Sequence, residues 1–416
     1  MPTLTLTVEV PWPKGKITFS KLECDVHRAA MAAGRKLLVQ ALHQWEDQLL
    51  PFAGARQRRV RRYLLTRLGP IRFHRWKTLR DHRYSFPLDR AMGLHPWQTC
   101  SGWVWERACR LAKDHPFRTA ARLLSDLVGT PVDHRRLWGW LQKAGKLRRD
   151  QIESWTNEMF EDGLAPPEGN PVQMVVTEID GAVLRQQRRG VFEAKVAVAY
   201  TGKRRSSPTA KHRKLLCTGK AVAAGVFSEG QAGPSIYAQL CRSVHIHRAR
   251  WSLLSGDGAE WIPVLAREWF PGSVYQLDHY HLKLRLREAA GRDARRASQW
   301  IAWALAGRFR TIARSMAALV RRGRLSAEVA QQTLWFLQMN SGAIWGFRTL
   351  LAQGAPPELC TRGSGVIEHT IDLGVARRMK RQGMRWSKEG AHNMLVMRAL
   401  GYDPVAWRRW WEEVIG

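Results

Sequence analysis

The chain has 416 residues, 45% of them hydrophobic and 9% aromatic, enough to bury a sizeable core and to divide into two or three domains. Sixty-seven Lys and Arg stand against 35 Asp and Glu, a formal net charge of +32 that calls for a polyanionic partner, nucleic acid first among them. The apolar content excludes a disordered chain, and no apolar run approaches the roughly 18 residues of a spanning helix, so no membrane partner is expected.

The opening MPTLTLTVEV lacks a basic segment followed by an apolar one. A cytoplasmic location is therefore expected and, with a nucleic-acid partner, association with the nucleoid. Cysteines 24, 100, 109, 217, 241 and 360 form no CxxC pair and no zinc knuckle. They are expected to be reduced, buried thiols. Most of the 20 tryptophans should pack cores, with a few left to stack on exposed bases.

In chain order, residues 1–115 mix helical patterns such as HRAAMAAGRKLLVQALHQWEDQLL with a strand-like stretch, GPIRFHRWKTLRDHRYSFPLD, whose alternation suggests a hairpin. Residues 116–165 hold an amphipathic helix, a Gly129-Thr130-Pro131 break and a second helix with Arg135, Arg136 and Lys143. That is the outline of a DNA-binding helix-turn-helix, and equally of a plain helical hairpin; the basic second helix tips the reading toward DNA. The Pro- and Gly-rich APPEGNP at 165–171 reads as a domain boundary.

Residues 172–281 give three strands (MVVTEIDGAVLRQQ, VFEAKVAVAYTGK, LLCTGKAVAAGVF), then helix PSIYAQLCRSV, strand RWSLLSGDG, helix AEWIPVLAREWF and strand SVYQLDHY. This predicts an α/β fold and follows the element order of an RNase H-like core. Residues 282–356 read as an all-helical insertion, and residues 357–416 as a catalytic helix followed by C-terminal helices.

Three carboxylates stand out. Asp180 interrupts the apolar run from Val175 to Val183, where a charge is costly unless it binds something. Asp257 follows Trp251-Ser252-Leu253-Leu254 between Gly256 and Gly258, at the carboxyl end of a strand where α/β sheets build their sites. Glu368 falls in the first turn of a predicted helix after Gly363-Ser364-Gly365. Asp278 also ends an apolar strand and is an alternative to Asp257. Hard Mg²⁺ or Mn²⁺ prefers such oxygens, and two ions about 3.5–4 Å apart can serve both attacking and leaving oxygens of a phosphoryl transfer.

Two segments carry a family resemblance: GDGAEWIPVLAREWFPGSVYQLDHYH and GSGVIEHTIDLGVARRMKRQGMRWSKEGA. Over roughly residues 60–400 the chain resembles bacterial insertion-sequence transposases of the ISLre type, relatives of the Mutator-like DDE group. In Mutator-like enzymes the second catalytic Asp precedes a C/D-x-x-H motif, and here Asp257 precedes Asp278-His279-Tyr280-His281. The resemblance implies metal binding by Asp180, Asp257 and Glu368, an accessory role for Asp278 with His281, and a homodimer holding two transposon ends. It further implies cleavage of double-stranded DNA and joining of the ends to a target by two metal ions. The basic run Arg377, Arg378, Lys380, Arg381 and Arg385 is read as DNA-backbone contact. Trp386 is read as a base-stacking or core residue, and His281 as a residue that orients a phosphate or a flipped base. The readings from other classes are a transposase-derived DNA-binding regulator without cleavage activity, and a basic RNA-binding protein.

Overall fold

The computed structural model describes residues 17–205 and 215–415 together with Thr7 and Glu9, and divides the chain into two units, Met1–Lys143 with Pro404–Gly416, and Ala144–Asp403. Among the described residues no helix is long and apolar enough to cross a membrane.

The first unit opens with α1 (Phe19–Leu49), capped by the Thr18 hydroxyl. A three-stranded antiparallel sheet follows, β1 (Ala55–Thr66), β2 (Gly69–Arg80) and β3 (Arg83–Ser85). The strand-like stretch thus forms β2 and β3, but the 12-residue β1 beside them escapes notice in the sequence. Its arginines occupy both faces of the strand and hide the alternation that marks a half-buried one. Leu64, Ile71 and Phe73 pack under the sheet with Leu42 of α1 and Leu88 of α2 (Pro87–Ala91).

Three helices come next: α3 (Gly102–Asp114), α4 (Phe117–Val128) and α5 (His134–Phe160). Gly129, at φ +63°, closes α4 in the left-handed conformation that glycine adopts at little cost, and Asp133 accepts the Arg135 N–H at 2.8 Å to start α5. The break between the two helices is therefore built as its residues suggest. The C-terminal helix Pro404–Ile415 belongs to this unit: Trp411 meets the buried Trp105 edge to face at 5.1 Å, and the Trp407 indole donates to Glu106 at 2.6 Å. The pattern put a boundary at 165–171 and grouped this helix with residues 357–416. The two compact units meet within α5, between Lys143 and Ala144.

The second unit is built on a five-stranded mixed sheet: β4 (Val172–Arg185), β5 (Val191–Tyr200), β8 (Ala221–Gly225), β9 (Ala249–Gly256) and β10 (Ser273–Leu277), in the order β10-β9-β4-β5-β8. β4, β9 and β10 run parallel, while β5 is antiparallel to both β4 and β8. One predicted strand, LLCTGKAVAAGVF, is two: β7 (Leu215–Thr218) pairs with β6 (Gly202–Arg205) in a separate ribbon. Gly219, at φ +58°, makes the turn into β8.

One sheet face, with Val175, Ile179, Ala197 and Leu254, is covered by α6 (Ala232–Val244) and α7 (Trp261–Trp269). The other, with Met174, Val176 and Leu253, meets Phe347 and Leu350 of α12 (Gly346–Ala352). Between β10 and α12 lie α8 (His279–Ala290), α9 (Ala294–Leu305), α10 (Phe309–Arg321) and α11 (Ala327–Asn340), gathered around the buried Trp300, Ile312 and Met316. The stretch expected to be helical is so. After α13 (Gly365–Ile371) the chain winds as a π-helix through Asp372–Lys380 and ends the unit with α14 (Lys388–Leu400). The whole is a mixed α/β architecture, as expected.

Candidate active site

Register sets the site. Ile179 of β4 is paired with Gly256 of β9, and Gly256 with Leu277 of β10, so the next residues along three adjacent parallel strands are Asp180, Asp257 and Asp278. The shared ladders of the three strands end at this level, so Asp180, within β4, and Asp257 and Asp278, just past β9 and β10, follow register-matched positions.

Their surroundings differ. Asp180 is half-buried, and burial together with the charge of Asp257 pushes its carboxyl up to about 6, although the Gly181 N–H, which it accepts at 2.6 Å, and His281 pull the other way. Asp257 accepts the Ala259 N–H at 2.9 Å from a loop turned by Gly258 at φ +91°. A side chain at Gly258 would also reach within 2.6 Å of Phe336 and 2.7 Å of Leu277.

Asp278 is 2% exposed and caps α8 by accepting the Tyr280 N–H at 2.7 Å. Its other oxygen accepts the Ser364 N–H at 3.0 Å, the Ser364 hydroxyl and His281 Nδ1 at 3.3 Å. Burial alone would raise Asp278, but the donors from His281, Ser364 and Tyr280 outweigh it and bring the carboxyl down to about 2. Four donors thus engage the Asp278 carboxylate, one on the oxygen that caps α8 and three on the other. These bonds tie the strand end, α8 and the Ser364 segment together through one side chain. His281 sits one turn into α8, its ring pushed up by the hydrogen bond to Asp278 against the effect of burial, and further by the charges of Asp257 and Asp180.

The segment leading to Glu368 is pinned twice. Asp278 holds Ser364, and the Glu178 carboxylate on β4 accepts the N–H groups of Val366 and Ile367 at 2.9 and 2.8 Å, with the Tyr200 hydroxyl at 2.8 Å on its other oxygen. Glu178 is 1% exposed, and burial raises its carboxyl while these donors restrain it. Sequence reasoning passed it over. The signal was there, since Glu178 breaks the same apolar run as Asp180 and shares its face of β4. Glu368 itself is exposed on the first turn of α13. Among the described residues no three His, Cys, Asp or Glu side chains come close enough to hold one ion, so Glu368 does not join Asp180 and Asp257 in this conformation.

A cleft of about 490 Å³ opens beside Asp257 and His281, walled by Arg285, Gln332, Trp335 and Asn340. Half of Trp335 is exposed, and its indole donates to Glu260 at 2.9 Å. A larger cleft of about 1360 Å³, lined by Arg149, Glu193, Lys195, Trp261 and Lys388, contains none of the three strand-end carboxylates.

The basic residues divide by exposure. Arg135, Arg136 and Lys143 are exposed on α5, with the Lys143 ammonium 3.8 Å above the Trp97 ring. Arg377 is exposed and paired with Asp372 at 2.7 Å; Lys380, Arg381 and Arg385 are exposed as well. Arg378 and Trp386 are not, at 2% and 6% exposure. The Trp386 indole donates to the Met379 carbonyl at 3.0 Å, so it packs the core instead of offering a face to a base, and Arg378 is withdrawn from any backbone contact. Of the cysteines, 100, 109, 241 and 360 are buried thiols as expected, whereas Cys217 is partly and Cys24 fully exposed.

Fold and site together define a mixed α/β protein with carboxylates after register-matched positions of adjacent parallel strands, a histidine held by one of them and exposed arginines and lysines on the same chain. The chain belongs to the uncharacterised protein family UPF0236, whose family model matches residues 13–413. A search of the curated proteins matches none of them.

Proposed function

We propose that this protein is a DDE-type DNA transposase with an RNase H-like core, cleaving transposon ends and joining them to target DNA. The observation that carries this is the placement of Asp180 and Asp257 one residue beyond register-matched positions of neighbouring parallel strands, in a sheet of order β10-β9-β4-β5-β8. That order, with its antiparallel β4-β5-β8 half and parallel β4-β9-β10 half, supports the RNase H-like reading.

Asp180 and Asp257 fit a hard divalent cation. The charge of Asp257 helps to raise the affinity of Asp180 for a proton, a cost that a positive ion would relieve, and carboxylate oxygens suit Mg²⁺ or Mn²⁺. Such ions, two per site, supply Lewis-acid stabilisation of charge at phosphorus when bound. Asp278 orients His281 toward the two aspartates, and Glu178 with Asp278 fixes the approach of α13, on which Glu368 is the proposed third carboxylate. Arg135, Arg136 and Lys143, with Arg377, Lys380, Arg381 and Arg385, are proposed to contact double-stranded DNA backbone, and a homodimer to hold two ends at the nucleoid.

The test is cleavage of DNA bearing the element's own ends with Mg²⁺ or Mn²⁺, comparing the native chain with Asp180→Asn, Asp257→Asn and Glu368→Gln. Loss of nicking and strand transfer in all three with DNA binding kept is expected. A second reading, a DNA-binding regulator without cleavage, is favoured by one observation, the separation of Glu368 from the aspartates. Native protein that binds the ends and never cuts them would establish that reading instead.

A further inference from the structure

The sheet of the first unit presents a face that nothing above uses. From Ala55 to Arg80 the chain holds nine Arg, one Lys and no Asp or Glu. In the β1–β2 register Arg59 is opposite Trp76, Arg61 opposite His74 and Tyr63 opposite Arg72. Each of these pairs sets an arginine beside a ring on one side of the ribbon. The other side carries Leu64, Ile71 and Phe73 into the core. There Arg62 and Arg75 share Asp89, at 3.9 and 2.8 Å. Among the described residues no ion pair engages Arg59, Arg61 or Arg72, and all three are exposed.

We infer that this outer ribbon face is a docking surface for the phosphate backbone of double-stranded DNA, indifferent to base sequence. Charge complementarity selects a polyanion, because the exposed Arg59, Arg61 and Arg72 crowd one face with no carboxylate among the described residues in an ion pair to offset them. The rings argue for the duplex over single strands. Trp76 lies under the guanidinium groups of Arg56 and Arg59 at 5.7 and 5.4 Å. The indole face of Trp76, the largest ring of this side, is taken by cations, which it holds in place, and is not free to stack an unpaired base. Alternate residues of a strand stand about 7 Å apart, two steps of a duplex that carries a phosphate per ~3.4 Å on each strand, so Arg59 and Arg61 on β1 can follow one row of phosphates with Arg72 beside them.

This inference rests on the proposed function only for the choice of DNA as polyanion. The experiment is fluorescence anisotropy of the full chain with a short labelled duplex of arbitrary sequence across a salt series, comparing the native protein with the Arg59→Gln/Arg61→Gln/Arg72→Gln triple variant. The variant should melt at the native temperature, bind at least tenfold more weakly at moderate salt, and lower the slope of log affinity against log salt by about 2 to 3, since each lost phosphate contact removes ~0.9. An unchanged slope, or native protein that prefers single strands or duplex RNA of the same length, overturns the ribbon. DNA-end cleavage assayed in parallel separates the two ideas. An unchanged slope with cleavage intact sinks the ribbon alone, whereas a reduced slope on a chain that never cleaves leaves the ribbon standing and sinks the transposase.

Discussion

The carboxylate of Glu178, in the middle of a strand, accepts the backbone N–H of Ile367 at 2.8 Å, and that of Val366 at 2.9 Å, across nearly 190 residues of sequence. Two N–H groups at the start of a helix lack partners within it, and an anion is the best acceptor for them. One side chain thereby fixes where α13, and with it Glu368, leaves the sheet.

Removing that anchor should be costly. Glu178→Ala strands the Tyr200 hydroxyl and two N–H groups in a buried setting, a loss of ~2–4 kcal/mol. Hydrogen exchange should read it locally, as faster exchange at Val366 and Ile367. Native protection at those two amides in the variant would show that α13 is held by other contacts.

Asp278 predicts an acid-dependent stability. Its carboxyl sits at about 2 in the folded chain against roughly 3.9 unfolded. A depressed folded value means that the contribution is complete above about pH 4 and is lost as pH falls toward 2. Two units amount to ~2–3 kcal/mol. Urea titrations of Asp278→Asn and the native chain should therefore differ by about that much at neutral pH and converge as the pH falls through this window. A gap that stays constant down to pH 2 would contradict the assignment.

His392 on α14 gives the opposite kind of handle. Burial, then the charge of Arg149, push its imidazole down to about 4, although a hydrogen bond to the Val226 carbonyl works the other way. The unfolded ring takes a proton near 6.5 and the folded ring resists until about 4, so stability is complete above 6.5 and drains as pH falls between those values, by up to ~3 kcal/mol. Thermal melts from pH 7 to pH 4 should show a fall that His392→Gln flattens. If both chains follow the same curve, the fall comes from other groups.

Trp386 separates packing from recognition. Truncating a 6%-exposed tryptophan should cost ~3–5 kcal/mol of stability. Binding of DNA by the Trp386→Phe variant, which keeps most of the buried volume, should match the native chain at temperatures where both are folded. A selective loss of DNA affinity in that variant would return the indole to the interface.

Much was legible in the residues themselves. Carboxylates set in or at the ends of apolar runs, at Asp180, Asp257 and Asp278, announced themselves because a buried charge needs a partner, and alternation and helical spacing marked most of the second unit. The same rule, applied without exception, would have found Glu178. What no local pattern held was pairing. Which donors an acid meets is decided by groups distant in sequence, as Ser364 donates to Asp278. Likewise Arg377 and Arg378 are neighbours in one basic run, and only packing against Trp386 buries the second and leaves the first in solvent. Periodicity is a property of one segment and is written in it. Burial and hydrogen-bond partners belong to segments brought together, and these were settled by the tertiary structure alone.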